Sequence, residues 1–308
     1  MSSGKRILVT GATGFVAGRL LEMLRLDQDQ LHWDVTVLSS SQVAGWKTIV
    51  VPRDDRGLYA FQGSGLLEAV GGRADVIVHL GSFTPKSGGE ANDYKLATSN
   101  ITNTLALVES LPAPDQFIFA STLDVYGRSD QPLEESDIPA PQSLYGAAKL
   151  YCEQMISAWA STNPELKLSI LRIGHIYGPG EQHYRKFIPE TIRRLKRGEA
   201  PDVRTAGSEK RSFMYVDDLC SVILHLIKNE VGAGLMNMAS ENAVSVAQVA
   251  DELARIASDA GIDVPAWSPT SELTGMDVVV DATRMRQVVP LLETTLAIGL
   301  ANEFAAQD

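Results

Sequence analysis

Apolar residues in the first half of this chain fall in short, unbroken runs. "RILVT" (6–10), "DVTVLS" (34–39), "KTIVV" (47–51), "ADVIVHLGS" (74–82), "QFIFAST" (116–122) and "KLSILRI" (167–173) are near-continuous rather than alternating. A strand with one wet face alternates apolar and polar residues, whereas a parallel strand covered on both faces does not. Between the runs the period changes. After Gly14, Phe15, Val16, Leu20, Leu21 and Leu24 lie on one side of a helix. Strands alternating with helices predict an α/β fold, a Rossmann-like doubly wound parallel sheet.

Beyond about residue 174 the rhythm loosens. "YGPGEQHY" reads as a loop and "KFIPETIRRLKRGE" as a basic amphipathic helix. "RSFMYVDDLCSVILHLIKN" reads as a short strand and a helix, "GLMNMAS" as a strand, and "SVAQVADELARIASDAG" as a helix capped by Ser245. The expected organisation is a dinucleotide-type domain over 1–174 and 212–239. It interleaves with a smaller C-terminal substrate lobe over 175–211 and 240–308. No repeat or low-complexity tract interrupts it.

Composition narrows the partners. The 308 residues include 27 basic and 38 acidic ones, for a net charge of -11. Such a surface repels phosphodiester backbones, which argues against nucleic acid. Two cysteines, Cys152 and Cys220, make no disulfide framework, and no Cys/His spacing resembles a metal site. The opening "MSSGKRILVTGATG" is too broken for a signal peptide, and no segment reaches the roughly 20 apolar residues of a membrane span. The expectation is a cytoplasmic protein with no membrane partner and no metal.

Two motifs carry chemistry. "VTGATGFVAGRL" joins the first strand to the first helix. Gly11 suits the tight turn, Gly14 lets backbone approach a ligand, and N–H groups at the helix start favour a pyrophosphate. Gly11, Thr13, Gly14, Phe15 and Val16 are therefore candidate dinucleotide contacts. Ala17 stands where a third glycine often sits. At the end of the second strand, where an acid usually takes the ribose hydroxyls, the chain has Ser39 and Ser40. Loss of that carboxylate admits a 2′-phosphate, with Lys47 the nearest cation in sequence, so NAD and NADP both stand. The second motif, "SLYGAAKLYCEQ", puts Tyr145 and Lys149 four residues apart on one helical face.

Taken with "TGATGFVAG", "DVIVHLGS", "NITNTLALVES", "ASTLDVYG", "YGAAK", "LRIGHIYGPG", "RSFMYVDDL", "GLMNMAS" and "DATRMRQ", in that order, the chain resembles an extended short-chain dehydrogenase/reductase. It is similar to the sugar-nucleotide epimerase, dehydratase and reductase branch over almost its whole length. The resemblance implies that Tyr145 is the acid/base and that Lys149 lowers its pKa and holds the nicotinamide ribose. Thr122 would hold the reacting oxygen. It further implies cofactor contacts at Asp54, Leu80, Gly81, Ser82, Asn100 and Gly174, and substrate contacts at Thr84, His175, Arg185 and Arg211. His79 reads as structural, and Asp281 as fixing a loop. Asn103 replaces a family glycine. Family dehydratases carry Asp-Glu after the Thr, where this chain has Leu123 and Asp124, which argues against 4,6-dehydration. His175 stands where many epimerases have Asn. The implied activity is hydride transfer at a carbon, C4 first, of a nucleotide-linked hexose. A 4-ketoreductase is favoured over a 4-epimerase. A non-catalytic dinucleotide sensor and a non-sugar ketone or alcohol are more distant readings. The resemblance also implies a homodimer through helices near 93–110 and 145–160.

Overall fold

The computed structural model describes residues 4–55, 57–61, 65–184, 186–290 and 292–307, with backbone alone for 27–30 and 183. In chain order its first part runs β1 (Arg6–Thr10), α1 (Phe15–Leu31), β2 (Asp34–Ser39), β3 (Lys47–Val50), α2 (Leu66–Ala69) and β4 (Val76–His79). It continues through α3 (Gly88–Ala91), α4 (Tyr94–Ser110), β5 (Gln116–Thr122), α5 (Leu144–Ser161) and β6 (Lys167–Ile173). Then follow β7 (His175–Tyr177), α6 (Phe187–Lys196), β8 (Lys210–Arg211), β9 (Phe213–Tyr215), α7 (Val216–Asn229) and β10 (Gly234–Met238). The remainder is β11 (Val244–Ser245), α8 (Val246–Asp259), α9 (Thr283–Val288) and α10 (Leu296–Ala306).

The main sheet has the order β10-β6-β5-β4-β1-β2-β3. The pairs β1–β2, β1–β4, β2–β3, β4–β5 and β5–β6 are all parallel. The continuous apolar runs have their cause here. Every residue of β4 is buried, as are all but one of β5. Leu8, Ile77, Phe117, Phe119, Leu107 and Ile156 form the core between sheet and helices. The strand order reverses between β1 and β4, which run outward from the middle. In an open α/β sheet, ligands sit outside the carboxyl ends of the strands at such a reversal.

Compactness divides the chain into two units, 1–127 with 138–173 and 220–236, and 128–137 with 174–219 and 237–308. In the second unit β7 pairs parallel with β9, and β8 antiparallel with β11. Helix α8 starts at a capping box: the Ser245 hydroxyl accepts from Gln248 N, and the Gln248 side chain accepts from Ser245 N.

Helix α10 carries a buried acid. Glu303 is fully enclosed; one carboxyl oxygen accepts from the Gln307 amide (3.1 Å), and Oε2 has no hydrogen-bond partner among the described residues. Burial and the neighbouring Glu181 push its pKa up to about 9. Folding therefore keeps on Glu303 a proton that the unfolded chain releases near pH 4.5. Its contribution is whole below that pH and is lost as pH rises toward 9. We expect Glu303→Gln to flatten the fall of the urea midpoint between pH 5 and 8.5. Identical pH slopes for wild type and variant would exclude a neutral buried acid.

Candidate functional site

At the reversal of strand order two turns meet without side chains between them. Gly11, just after β1, has φ +73°. A Cβ there would sit 2.7 Å from Gly81 Cα, just after β4. A Cβ on Gly81 would sit 2.8 Å from Thr10 Oγ1. Both positions therefore demand glycine. Gly14 N–H donates to Gly11 O (2.8 Å), turning the chain straight into α1. Thr13 and Gly14 are exposed, while Phe15 and Val16 are half-buried. A helix leaves its first-turn amides without carbonyl partners of its own. The result is a backbone-lined cradle at a helix N-terminus, a fit for the diphosphate of a dinucleotide.

The cradle is braced from behind. Gly81 N–H donates to Thr10 Oγ1 (2.9 Å), which bonds His79 Nδ1 (2.7 Å), and His79 Nε2 bonds Thr104 Oγ1 of α4 (3.0 Å). Burial and the Lys149 charge push His79 down to about 3, so it is neutral. It is a strut between β1, β4 and α4, in line with the structural reading of this residue.

Tyr145 and Lys149 lie on the first turns of α5. Ser143 starts that helix by accepting from Gly146 N (3.1 Å). The Tyr145 phenol is hydrogen-bonded to Thr84 and Thr122 and is 7% exposed. One turn on, Lys149 is 2% exposed. Its ammonium donates to Ser82 Oγ (2.8 Å) and Ala120 O (2.6 Å) and lies 4.8 Å over the Phe119 ring. Burial lowers Lys149 to about 8 against the opposing charges of Cys152 and Glu153. Thr122, Tyr145, Lys149, Ser82 and Thr84 thus come together in the first unit.

The resemblance implied that the positive charges of Lys149 and of the oxidised nicotinamide make the phenol more acidic. In the protein by itself, burial and then the Asp124 carboxylate push Tyr145 up to about 12, with the two threonine hydroxyls opposing. The ammonium is engaged by Ser82 and Ala120, and the unlike environment prevails. In this geometry Tyr145 is a phenol with a proton to donate.

Other sequence candidates fall as follows. Ser39 is 2% exposed and its Oγ accepts from Ser41 N (3.4 Å), while Ser40 is exposed. Lys47 is not beside them. It pairs with Thr36 in β2, three residues or about 10 Å along the strand from Ser39, and lies 3.5 Å from Asp34. Asp54 closes a turn by accepting from Leu58 N (3.0 Å). Asn100 engages Phe83 with both ends of its amide: Oδ1 accepts from Phe83 N (2.7 Å) and Nδ2 donates to Phe83 O (2.9 Å). It holds the loop that carries Ser82 and Thr84. Asn103 does the same for a second loop, accepting from Tyr59 N (2.9 Å) and donating to Gly57 O (3.0 Å). A glycine there could not.

In the second unit, Gly174 N donates to Met238 O (3.0 Å). The His175 ring packs edge-on against Phe213 at 5.8 Å. Burial, then Arg211 and Lys186, lower its pKa to about 4, so it is neutral between two cations. Arg211 Nη1 donates to the Lys210 (2.8 Å) and Met276 carbonyls. Asp281 accepts from Thr283 N (2.7 Å). Arg185 lies outside the described residues.

Sequence reasoning missed a buried ion pair behind the site. Arg172 of β6 donates to Glu153 of α5 (2.8 Å, 3.1 Å and 3.3 Å), and Glu153 also accepts from Ser121. Both charged side chains are almost fully buried. The only trace in sequence is a charged residue on the buried side of each element.

Fold and cradle together define a nucleotide-dependent oxidoreductase of the Rossmann type. Residues 7–239 match the NAD dependent epimerase/dehydratase family. The chain belongs to that family and is an NAD-dependent enzyme of the extended short-chain dehydrogenase/reductase type. It is 26% identical to dTDP-D-glucose 4,6-dehydratase of Mus musculus, over 83% of this chain and 74% of that protein. It is 30% identical to the low-salt glycan biosynthesis protein Agl12 of Haloferax volcanii, over 70% of this chain and 71% of that one. Its fold matches UDP-glucuronic acid 4-epimerase from Bacillus cereus, solved with UDP-glucuronic acid and NAD. The TM-score is 0.80 at 20% identity, covering 98% of both chains. UDP-glucose 4-epimerase from Thermotoga maritima, solved with UDP-glucose, matches with TM-score 0.79 at 23% identity, again over 98% of both chains. No described helix is long and apolar enough to cross a membrane.

Proposed function

We propose that this chain reduces a keto group, at C4 in the first instance, on a nucleotide-linked hexose. The observation that supports this reading is the placement of Tyr145, buried beside Thr84 and Thr122 one helical turn before the buried Lys149. A group with a proton to give suits reduction of a carbonyl, whose oxygen must be protonated as hydride arrives. The dinucleotide, NAD or NADP in its reduced form, supplies that hydride.

Tyr145 delivers the proton, Thr122 orients the same oxygen, and Lys149 anchors the ribose. Gly11, Thr13, Gly14, Phe15 and Val16 hold the diphosphate. Ser39, Ser40 and Asp54 meet the adenosine half. Leu80, Gly81, Ser82 and Gly174 frame the nicotinamide half, with Asn100 supporting them through Phe83. Thr84, His175, Arg185 and Arg211 receive the substrate, Arg211 through its guanidinium affinity for phosphate. The relatives named dehydratases do not transfer directly, because Leu123 stands where the family's eliminating acid belongs.

A 4-epimerase is the second reading, favoured by the likeness in fold to UDP-sugar 4-epimerases. A dinucleotide sensor is a distant third, because the Thr122, Tyr145 and Lys149 set is complete. The helices α4 and α5 expose Tyr94, Tyr151 and Met155, which supports a homodimer through this face.

One experiment separates the readings. Purified protein is given NADH or NADPH with a 4-keto nucleotide sugar, then a nucleotide hexose with NAD alone, and sized by light scattering. Net loss of absorbance at 340 nm with the keto-sugar, from a dimer, is expected. Hexose interconversion without net cofactor use would replace reductase by epimerase. Inactivity on both would reject the enzyme reading proposed here.

A further inference from the structure

Asp124 is a charge at the reacting phenol that the chemistry above does not use. It lies two residues after Thr122 in the single turn Leu123–Val125, and its N–H donates to Thr122 Oγ1 (3.2 Å). From the other side α5 presses against the same turn: a Cβ on Gly146 would collide with the Asp124 carbonyl oxygen. The turn is thus fixed between the Thr122 hydroxyl and the residue following Tyr145. Asp124 is exposed as a residue, with its carboxyl partly enclosed, and that carboxyl has no hydrogen-bond or ion-pair partner among the described residues. Its charge nonetheless acts on the phenol, raising it, and the surrounding protein holds Asp124 itself above the ordinary carboxylate range.

An acid with a structural duty would have a donor on it. Neither the turn nor the helix contact needs a carboxylate, because both act through backbone atoms. What remains for the side chain is the molecule that approaches Tyr145. We propose that Asp124 is a charge filter, which admits nucleotide sugars that are neutral around the reacting carbon and rejects hexuronates. The inference rests on the nucleotide-sugar reading of the Tyr145 site. Two carboxylates held about 5–8 Å apart at intermediate dielectric weaken binding on the order of 10- to 100-fold. The sign is fixed by charge, whichever nucleotide base is carried.

The test is calorimetric titration of the NAD-saturated protein at pH 8 with UDP-glucose and with UDP-glucuronic acid. The base is common to both ligands, so the ratio of dissociation constants isolates the C6 group. Wild type should favour UDP-glucose about 10- to 100-fold. That ratio should shrink at least about fivefold in Asp124→Asn and persist in Asp124→Glu. An unchanged ratio in folded Asp124→Asn overturns the filter. Should the Asn variant not fold, the wild-type ratio at 0.5 M salt decides: screening must shrink it, and a salt-independent ratio overturns the proposal. Equal binding of both sugars by wild type overturns the filter alone. Binding of neither removes the nucleotide-sugar reading beneath it.

Discussion

Tyr145→Phe should lose about 10²–10⁴-fold in kcat and keep its affinity for the dinucleotide, the range expected when one positioned proton donor is removed. The ring stays, so the packing of α5 stays. Only the hydroxyl between Thr84 and Thr122 is deleted. The two threonine hydroxyls can then bond each other or water, which limits the structural cost. Because burial and Asp124 push the phenol up to about 12, the wild-type group is protonated across the neutral range. The rate of carbonyl reduction should therefore show no loss of acid from Tyr145 below pH 9. A basic limb nearer pH 8 would belong to Lys149, which burial lowers to about that value. Stopped-flow rates and dinucleotide titration on the same preparations check both parts. Near-normal turnover in the Phe variant would remove Tyr145 from the mechanism.

The second large effect is on stability. Glu153→Leu should cost roughly 3–5 kcal/mol in urea unfolding, because it strands the Arg172 guanidinium, itself 3% exposed. Arg172 has little reserve: its Nη1 already lacks a partner among the described residues, and the Tyr126 ring covers it at 4.6 Å. Ser121, the neighbour of Thr122, would lose its acceptor too. The double variant Glu153→Leu, Arg172→Met should recover most of the loss, since two matched apolar side chains carry no desolvation penalty. A single-variant loss below about 1 kcal/mol, or a double variant worse than the single, would show that the pair is not buried as described. The same substitution removes the charge that helps keep Lys149 protonated, so its basic limb should move to lower pH.

Much of this was legible in the residues. The strands "RILVT", "DVTVLS", "QFIFAST" and "KLSILRI" stand at the boundaries that their apolar runs mark. The Ser245 cap, the structural role of His79, and the gathering of Thr122, Tyr145 and Lys149 also follow from pattern and motif. Environment was not so legible. Lys47 is the nearest cation to Ser39 in sequence, whereas strand register sets it opposite Thr36, three residues away along β2. In sequence Asn100 reads either as a cofactor contact or as a residue holding backbone beneath the site, and only the structure shows that each end of its amide bonds the backbone of Phe83.

The linear order of residues determined the parallel sheet, the glycine turn and the placing of Tyr145 and Lys149 one turn apart on a single helix. Each is written in local periodicity and in spacings of a few residues, and backbone sterics or helical geometry read those directly. Tertiary structure alone decided the charge state of the site: which carboxylate faces the phenol, what occupies the Lys149 ammonium, and which ions are buried behind them. Coulomb and desolvation energies depend on distances between residues far apart in sequence, such as Ser82 and Lys149, and no local pattern encodes those distances.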